Sequence, residues 1–128
     1  MHRQSPPESV HALDVQGLRA PDVSFWVAWE SEQPVACGAL RALGGGEGEL
    51  KSMRTDADQR GRGIGARMLE HLLAEARRRD YRRVWLETGG TDEFAAAHRL
   101  YLRAGFVDCG PFGSYAANPF SRFMTLAL

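Results

Sequence analysis

The stretch Gln59-Arg60-Gly61-Arg62-Gly63-Ile64-Gly65-Ala66 decides the fold, because it joins a predicted strand (Glu47 to Arg54) to a strongly amphipathic predicted helix. Its closely spaced glycines let the backbone bend tightly and let a ligand approach without interference from Cβ atoms. The first turn of the helix that follows offers unpaired N–H groups and about half a positive charge from the helix dipole. Together these features make an anion site suited to a pyrophosphate. Arg60 and Arg62 add mobile positive charge beside it.

Several phosphate-binding patterns compete for this turn. A Walker-type loop ends in Gly-Lys-Ser/Thr, whereas here Gly65 is followed by Ala66 and Arg67, so that pattern fails. The dinucleotide fingerprint G-x-G-x-x-A is literally present as Gly61, Gly63 and Ala66. It should open its helix directly after the strand, but a run of polar residues intervenes, and the only acidic residue near the ribose position is Asp80. A glycine-rich loop that holds nothing is the plain alternative.

Working outward, Ile64, Met68, Leu69, Leu72, Leu73 and Ala76 recur at three- and four-residue spacing and predict a helix over Gly63 to Arg79. Before the turn, Val23 to Glu30 is β-branched and aromatic, and Val35 to Leu43 is its hairpin partner across Ser31-Glu32-Gln33-Pro34. After the helix come a strand (Arg82 to Thr88), a second helix capped by Thr91 or Asp92 and reaching Ala104, and Gly105 as a C-cap glycine. Phe106 to Gly110 and Ser121 to Leu128 are the last strands, and a short helix is expected within Val10 to Leu18. An antiparallel meander running into a β-α-β crossover is an α+β pattern with a mixed sheet, unlike the strict alternation of a doubly wound fold. At 128 residues the chain is one domain.

Composition excludes several classes. With 16 basic and 16 acidic residues the net charge is zero, so no global field favours nucleic acid or an anionic membrane. The cluster Arg77, Arg78, Arg79, Arg82 and Arg83 reads as a solvated helix end rather than an anion patch. Cys37 and Cys109 lie far apart and the histidines form no pair, so neither a metal site nor a disulfide framework is expected. No apolar run approaches the roughly 20 residues that span a bilayer. The polar, proline-containing start is unlike a signal peptide, and a cytoplasmic protein is expected.

A further pattern fits the turn better than the others. Gln/Arg-x-x-Gly-x-Gly/Ala, here Gln59/Arg60 through Gly65, is similar to the coenzyme A signature of the GCN5-related N-acetyltransferase (GNAT) superfamily. Leu50 to Arg54 resembles that family's central strand, and Val84 to Thr88 its next parallel strand. Ala97-His98-Arg99-Leu100-Tyr101-Leu102-Arg103-Ala104-Gly105-Phe106 resembles its A-x-x-x-Y-x-x-x-G-F segment. The likeness runs from about Pro34 to Leu128, and the stretches LKSMR, WLETG and CGPFGSY look closest to small bacterial acetyltransferases labelled YsnE-like. Two departures stand out. Phe94 occupies the place of a usual asparagine, so that residue's cofactor contacts do not carry over, although Phe94 could pack against pantetheine or adenine. The family's opening strand and helix are expected to be short or missing here, with either a truncated start or an absent first strand. An uncovered sheet edge could be covered by a second subunit, which makes a homodimer one expectation.

The resemblance implies direct transfer of an acetyl group from acetyl-CoA to the amine of a small-molecule acceptor in a ternary complex. It implies that backbone N–H groups near Met53 and Arg54 receive the acetyl carbonyl and the pantetheine, and that Tyr101 lies near the cofactor sulfur and assists the departing thiolate. A primary amine of pKa about 10.4 is unprotonated in roughly 1 in 2,500 molecules at pH 7, so a base is useful. Glu87, at the end of its strand, ranks first, followed by Glu49, with His98 as a further candidate. Strand alternation places Glu49, Lys51 and Met53 on one face. The loop Gly110 to Pro119, with Phe112, Tyr115 and Asn118, is expected to line the acceptor side with Trp26 and Trp29; Phe112 and Tyr115 are the substrate-binding candidates. The competing functions are a non-catalytic acyl-CoA-binding module of the same fold and a nicotinamide-binding protein.

Overall fold

A computed structural model describes residues 22–56 and 63–128. The helix expected within Val10 to Leu18, and the turn residues Gln59, Arg60, Gly61 and Arg62, lie outside the described residues. The chain runs β1 (Val23–Glu30), β2 (Gln33–Gly44), β3 (Glu47–Thr55), α1 (Ile64–Arg78), β4 (Arg83–Gly89), a 3-10 turn (Asp92–Phe94), α2 (Ala95–Ala104), β5 (Val107–Cys109) and β6 (Ser121–Ala127). One six-stranded sheet has the order β1-β2-β3-β4-β6-β5. Only β3 and β4 pair in parallel; the other neighbours are antiparallel. The expected α+β class with a mixed sheet is what forms.

Both helices lie against one face of the sheet. The apolar stripe of α1 is buried there with Leu40, Leu50, Val84, Leu86 and Met124, and Tyr101 and Phe106 join the same cluster from the α2 side. Each fully buried side chain of this size stabilises by roughly 1.5–3 kcal/mol, so the stripe holds α1 far more firmly than helix propensity does. Four arginines of the cluster at the end of α1 make contacts within the chain. Arg78 and Arg79 pair with Glu75, and Arg79 also donates to Ser24 Oγ at 3.0 Å and lies over the Trp26 ring. Arg82 donates to the Gly45 carbonyl at 2.8 Å, and Arg83 to Thr125 Oγ1 at 3.1 Å.

The end of α2 explains the Tyr-x-x-x-Gly-Phe spacing in plain backbone terms. Gly105 has φ 104, the Phe106 N–H donates to the Tyr101 carbonyl and the Gly105 N–H to the Leu102 carbonyl, both at 3.0 Å. This is a Schellman cap, whose usual apolar contact is made by the Tyr101 and Phe106 rings, 5.7 Å apart and edge to face. The motif therefore fixes where Tyr101 stands. Gly105→Ala should destabilise the protein by about 1–2 kcal/mol, since a side chain there is strained and its Cβ would lie 3.3 Å from Leu126 Cδ1. A thermal melt unchanged from the parent would show that the cap does not form. At the other end, the expected Thr91 cap is not made by its side chain; the helix is entered through the 3-10 turn, with the Phe94 N–H donating to the Thr91 carbonyl.

Candidate active site

The sheet opens where the site would have to be. β3 and β4 pair only over Glu47–Leu50 and Arg83–Leu86. Beyond them β3 stays with β2 as far as Thr55, β4 stays with β6 as far as Gly89, and the two strands part. A bulge sharpens the split. Lys51 faces Ala39 but Arg54 faces Cys37, so β3 carries one residue too many, and Ser52 takes a left-handed φ of 59. The Cys37 thiol donates to the Ser52 carbonyl at 3.3 Å; burial pushes that thiol's pKa up, and the Arg54 charge opposes the shift.

The bulge corrects one expectation. Glu49 and Lys51 do share a face, with Lys51 Nζ 3.8 Å from Glu49 Oε2. Met53 does not join them, because an inserted residue reverses the alternation that follows it. Its sulfur instead packs toward α1, 3.3 Å from where a Gly38 Cβ would sit beside Leu72 and Met68. Ser52→Val tests the bulge: a β-branched residue forced to positive φ should cost about 2 kcal/mol in urea unfolding, whereas in a regular strand valine would be neutral or better.

On the helix face, three elements converge on the split. α1 opens at Gly63 (φ 78), with no capping side chain among the described residues and no acidic residue in its first turn. Its first-turn N–H groups suit an anion. A Cβ at Gly65 would lie 3.2 Å from Thr55 Oγ1 at the end of β3 and 3.6 Å from Leu100 Cδ2 of α2. Ile64 is buried beneath this mouth and Ala66 is exposed. Tyr101 is 6% exposed, and its hydroxyl has no hydrogen-bond partner among the described residues. Desolvation alone pushes its pKa to about 12. The Phe94 ring occupies the space a side chain at Gly89 would need, and so covers the end of β4. His98 Nε2 donates to the Gly89 carbonyl at 2.6 Å and ties α2 to that strand end.

The opposite face is polar and aromatic. Glu49 is 2% exposed. Tyr115 Oη donates to its Oε2 at 2.6 Å, while Arg41 Nη1 stands 3.8 Å from its Oε1. Tyr115 is held by Phe112 (centroids 5.1 Å apart) and Phe123 (5.7 Å), and Phe112 also packs on Trp85 at 5.4 Å. Glu87 is exposed and accepts from Ser121 Oγ at 2.6 Å. Trp26 is not on this side: its ring meets His71 of α1, 5.3 Å away. Asn118 braces its own loop, accepting from the Phe120 N–H at 2.9 Å.

This geometry coincides with a family match. The model of the acetyltransferase (GNAT) family matches residues 2–106. The chain belongs to the GNAT family. It is 52% identical to the uncharacterized N-acetyltransferase YedL of Escherichia coli over 128 residues, all of this chain and 80% of that one. It is 45% identical to the uncharacterized N-acetyltransferase YsnE of Bacillus subtilis, covering all of this chain and 85% of the relative. A Klebsiella pneumoniae crystal structure described as an acyl-CoA N-acyltransferase superposes with a TM-score of 0.82 at 33% identity, over 93% of this chain and 86% of that chain. The chain is thus a GNAT acyltransferase of the YsnE-like kind, and the family draws its acetyl group from acetyl-CoA.

The site fits that donor on its own terms. A helix N-terminus with no acidic residue in its first turn suits phosphate, the parted strand edge of β3 suits an extended amide chain, and the Tyr101 hydroxyl, without a partner among the described residues, is buried on the same face. Among the described candidates, Gly65 stands beside the end of β3, Phe94 covers the end of β4, and Tyr101 is buried on the same helix-bearing face of the sheet. Glu49, Glu87, Phe112 and Tyr115 lie across the sheet from the α1 mouth. The sequence reading missed the Ser52 bulge, the Cys37 and His98 ties and the Tyr115–Glu49 bond. Only the Ser52 bulge had a possible signal, a break in strand alternation that polar residues disguise.

Proposed function

We propose that this chain, as one domain, transfers acetyl from acetyl-CoA directly to the amine of a small-molecule acceptor, with both reactants bound together. The observation that carries the reading is the parting of β3 from β4, with Tyr101 on the helix face of the split and Glu49 on the opposite one. A thioester laid along β3 would be reachable by a nucleophile from the far side without leaving its own groove.

Within this reading acetyl-CoA supplies an activated acyl group with a good leaving thiolate. Gly63, Ile64, Gly65 and Ala66 present first-turn N–H groups to its pyrophosphate, and Gln59, Arg60, Gly61 and Arg62, which precede them in the sequence, complete the coenzyme A signature. The Met53 and Arg54 N–H groups, turned by the bulge, stabilise negative charge on the acetyl oxygen. Phe94 borders the pantetheine path. Tyr101, kept neutral by burial, donates a hydrogen bond to the leaving sulfur rather than surrendering its proton outright. Glu49 takes the proton that leaves the attacking nitrogen. Glu87 and Phe112 border the acceptor.

Calorimetric titration with acetyl-CoA, followed by thiol release over a panel of primary amines, tests the reading. Micromolar binding with release of CoA by at least one amine supports it. Tight binding with no release by any amine would instead make the chain a non-catalytic acyl-CoA-binding module.

A further inference from the structure

Glu49 poses a problem as a base, because at 2% exposure it is shut off from an acceptor. Among the described residues three side chains reach its carboxylate: Tyr115 at 2.6 Å, and Arg41 and Lys51 at 3.8 Å each. Arginine and lysine are donors only, and neither can accept a proton while charged. A hydroxyl both donates and accepts. Tyr115 is half-buried, held between Phe112 and Phe123, so its oxygen has a fixed place and an outer side. Its hydroxyl also lies within the field of Glu87, near where the strands part.

We propose that Tyr115 is a catalytic proton relay, passing the proton of the acceptor nitrogen to the buried Glu49 carboxylate. The inference rests on the transferase reading above. As the nitrogen lone pair forms the C–N bond, the nitrogen becomes acidic and gives one proton to Tyr115 Oη. The proton already on that oxygen moves to Glu49 Oε2, so tyrosine is neutral before and after. The thioester C–S bond breaks, and the thiolate takes a proton from water. Glu49 returns its proton through the same hydroxyl, closing the balance as amine plus thioester gives amide plus thiol. Arg41 and Lys51 each stand 3.8 Å from the carboxylate.

Benzylamine serves as the acceptor probe, being a primary amine with a ring that suits the aromatic face. Tyr115→Phe keeps the ring contacts and removes only the relay oxygen. Tyr115→Phe and Glu49→Gln should each lower kcat by on the order of 100-fold. Acetyl-CoA affinity should stay unchanged, and the double variant should be no slower than either single one, since the two act as a unit. An ultraviolet alkaline titration adds a readout independent of turnover: one phenol, absent from Tyr115→Phe, should ionise at lower pH in Glu49→Gln than in the parent. Tyr115→Phe retaining kcat within threefold, losses that multiply in the double variant, or a phenol that does not move would each overturn the relay. A parent protein that binds acetyl-CoA yet acetylates no amine overturns the transferase reading itself, and the relay with it.

Discussion

Gly63→Glu is expected to weaken acetyl-CoA binding by roughly 100-fold or more, with the protein still folded. Gly63 opens α1 at φ 78, with nothing among the described residues within 4 Å of the position its Cβ would take. A longer side chain there meets no clash with the described residues and starts at the helix mouth. Two charges about 4 Å apart near a protein surface interact by about 4 kcal/mol, so a carboxylate facing a pyrophosphate costs enough to account for that loss. Gly63→Ala separates the causes. It carries the same left-handed strain, about 1–2 kcal/mol of fold stability, without the charge. Calorimetry should show the alanine variant binding within about tenfold of the parent. Equal losses in the two variants would mean that backbone geometry, and not phosphate charge, governs the turn.

Tyr101→Phe should slow acetyl transfer by on the order of 100-fold while making the protein more stable, an uncommon pairing. The hydroxyl is buried without a partner among the described residues, and such a group typically costs about 1–3 kcal/mol. Removing it relieves that cost and keeps the ring against Phe106. A tyrosine kept for structure would behave in the opposite way, losing stability with no catalytic penalty. The pH dependence points the same way. In the unfolded chain the phenol ionises near its ordinary value of about 10, whereas in the folded chain it holds its proton to about 12. The folded pKa is raised, so full stability is present below pH 10 and is lost as pH rises through 12. The loss approaches about 3 kcal/mol, and the fall in stability should be smaller by that amount in the variant, where the raised Tyr115 phenol still contributes. Unfolding in urea at pH 9 and pH 11.5 for both proteins measures it.

Much of the fold was legible because its signals are local. The α1 stripe, the aromatic β1 strand and Gly105 each follow from periodicity or from the backbone freedom of one residue. The Tyr101 cap was legible because it is built from backbone and announces itself in spacing. What escaped is set by contacts distant in sequence. Nothing near Tyr115 says that its hydroxyl will meet Glu49, 66 residues away. The relative merit of Glu49 and Glu87 turns on burial, which the sheet's register decides. Met53 was placed on the wrong face because alternation counts residues and cannot see a bulge. Trp26 was placed with the acceptor side because an aromatic residue in an edge strand does not declare which face it serves.

The short seam between β3 and β4 has a consequence for how the molecule holds together. Among the described residues, four register pairs and the Arg82 N–H to Gly46 carbonyl bond join the β1-β2-β3 ribbon to the β4-β6-β5 ribbon. A thioester donor lying in the split would touch both ribbons at once and act as a stitch across this short seam. Ligand that binds only the intact fold adds RT ln(1 + [L]/Kd) to its stability, about 2.7 kcal/mol at a hundredfold excess over Kd. The gain should appear chiefly as slower amide exchange along that line, while the interior of α1 changes little. The cellular supply of acetyl donor would then set the lifetime of this protein as well as its rate of work.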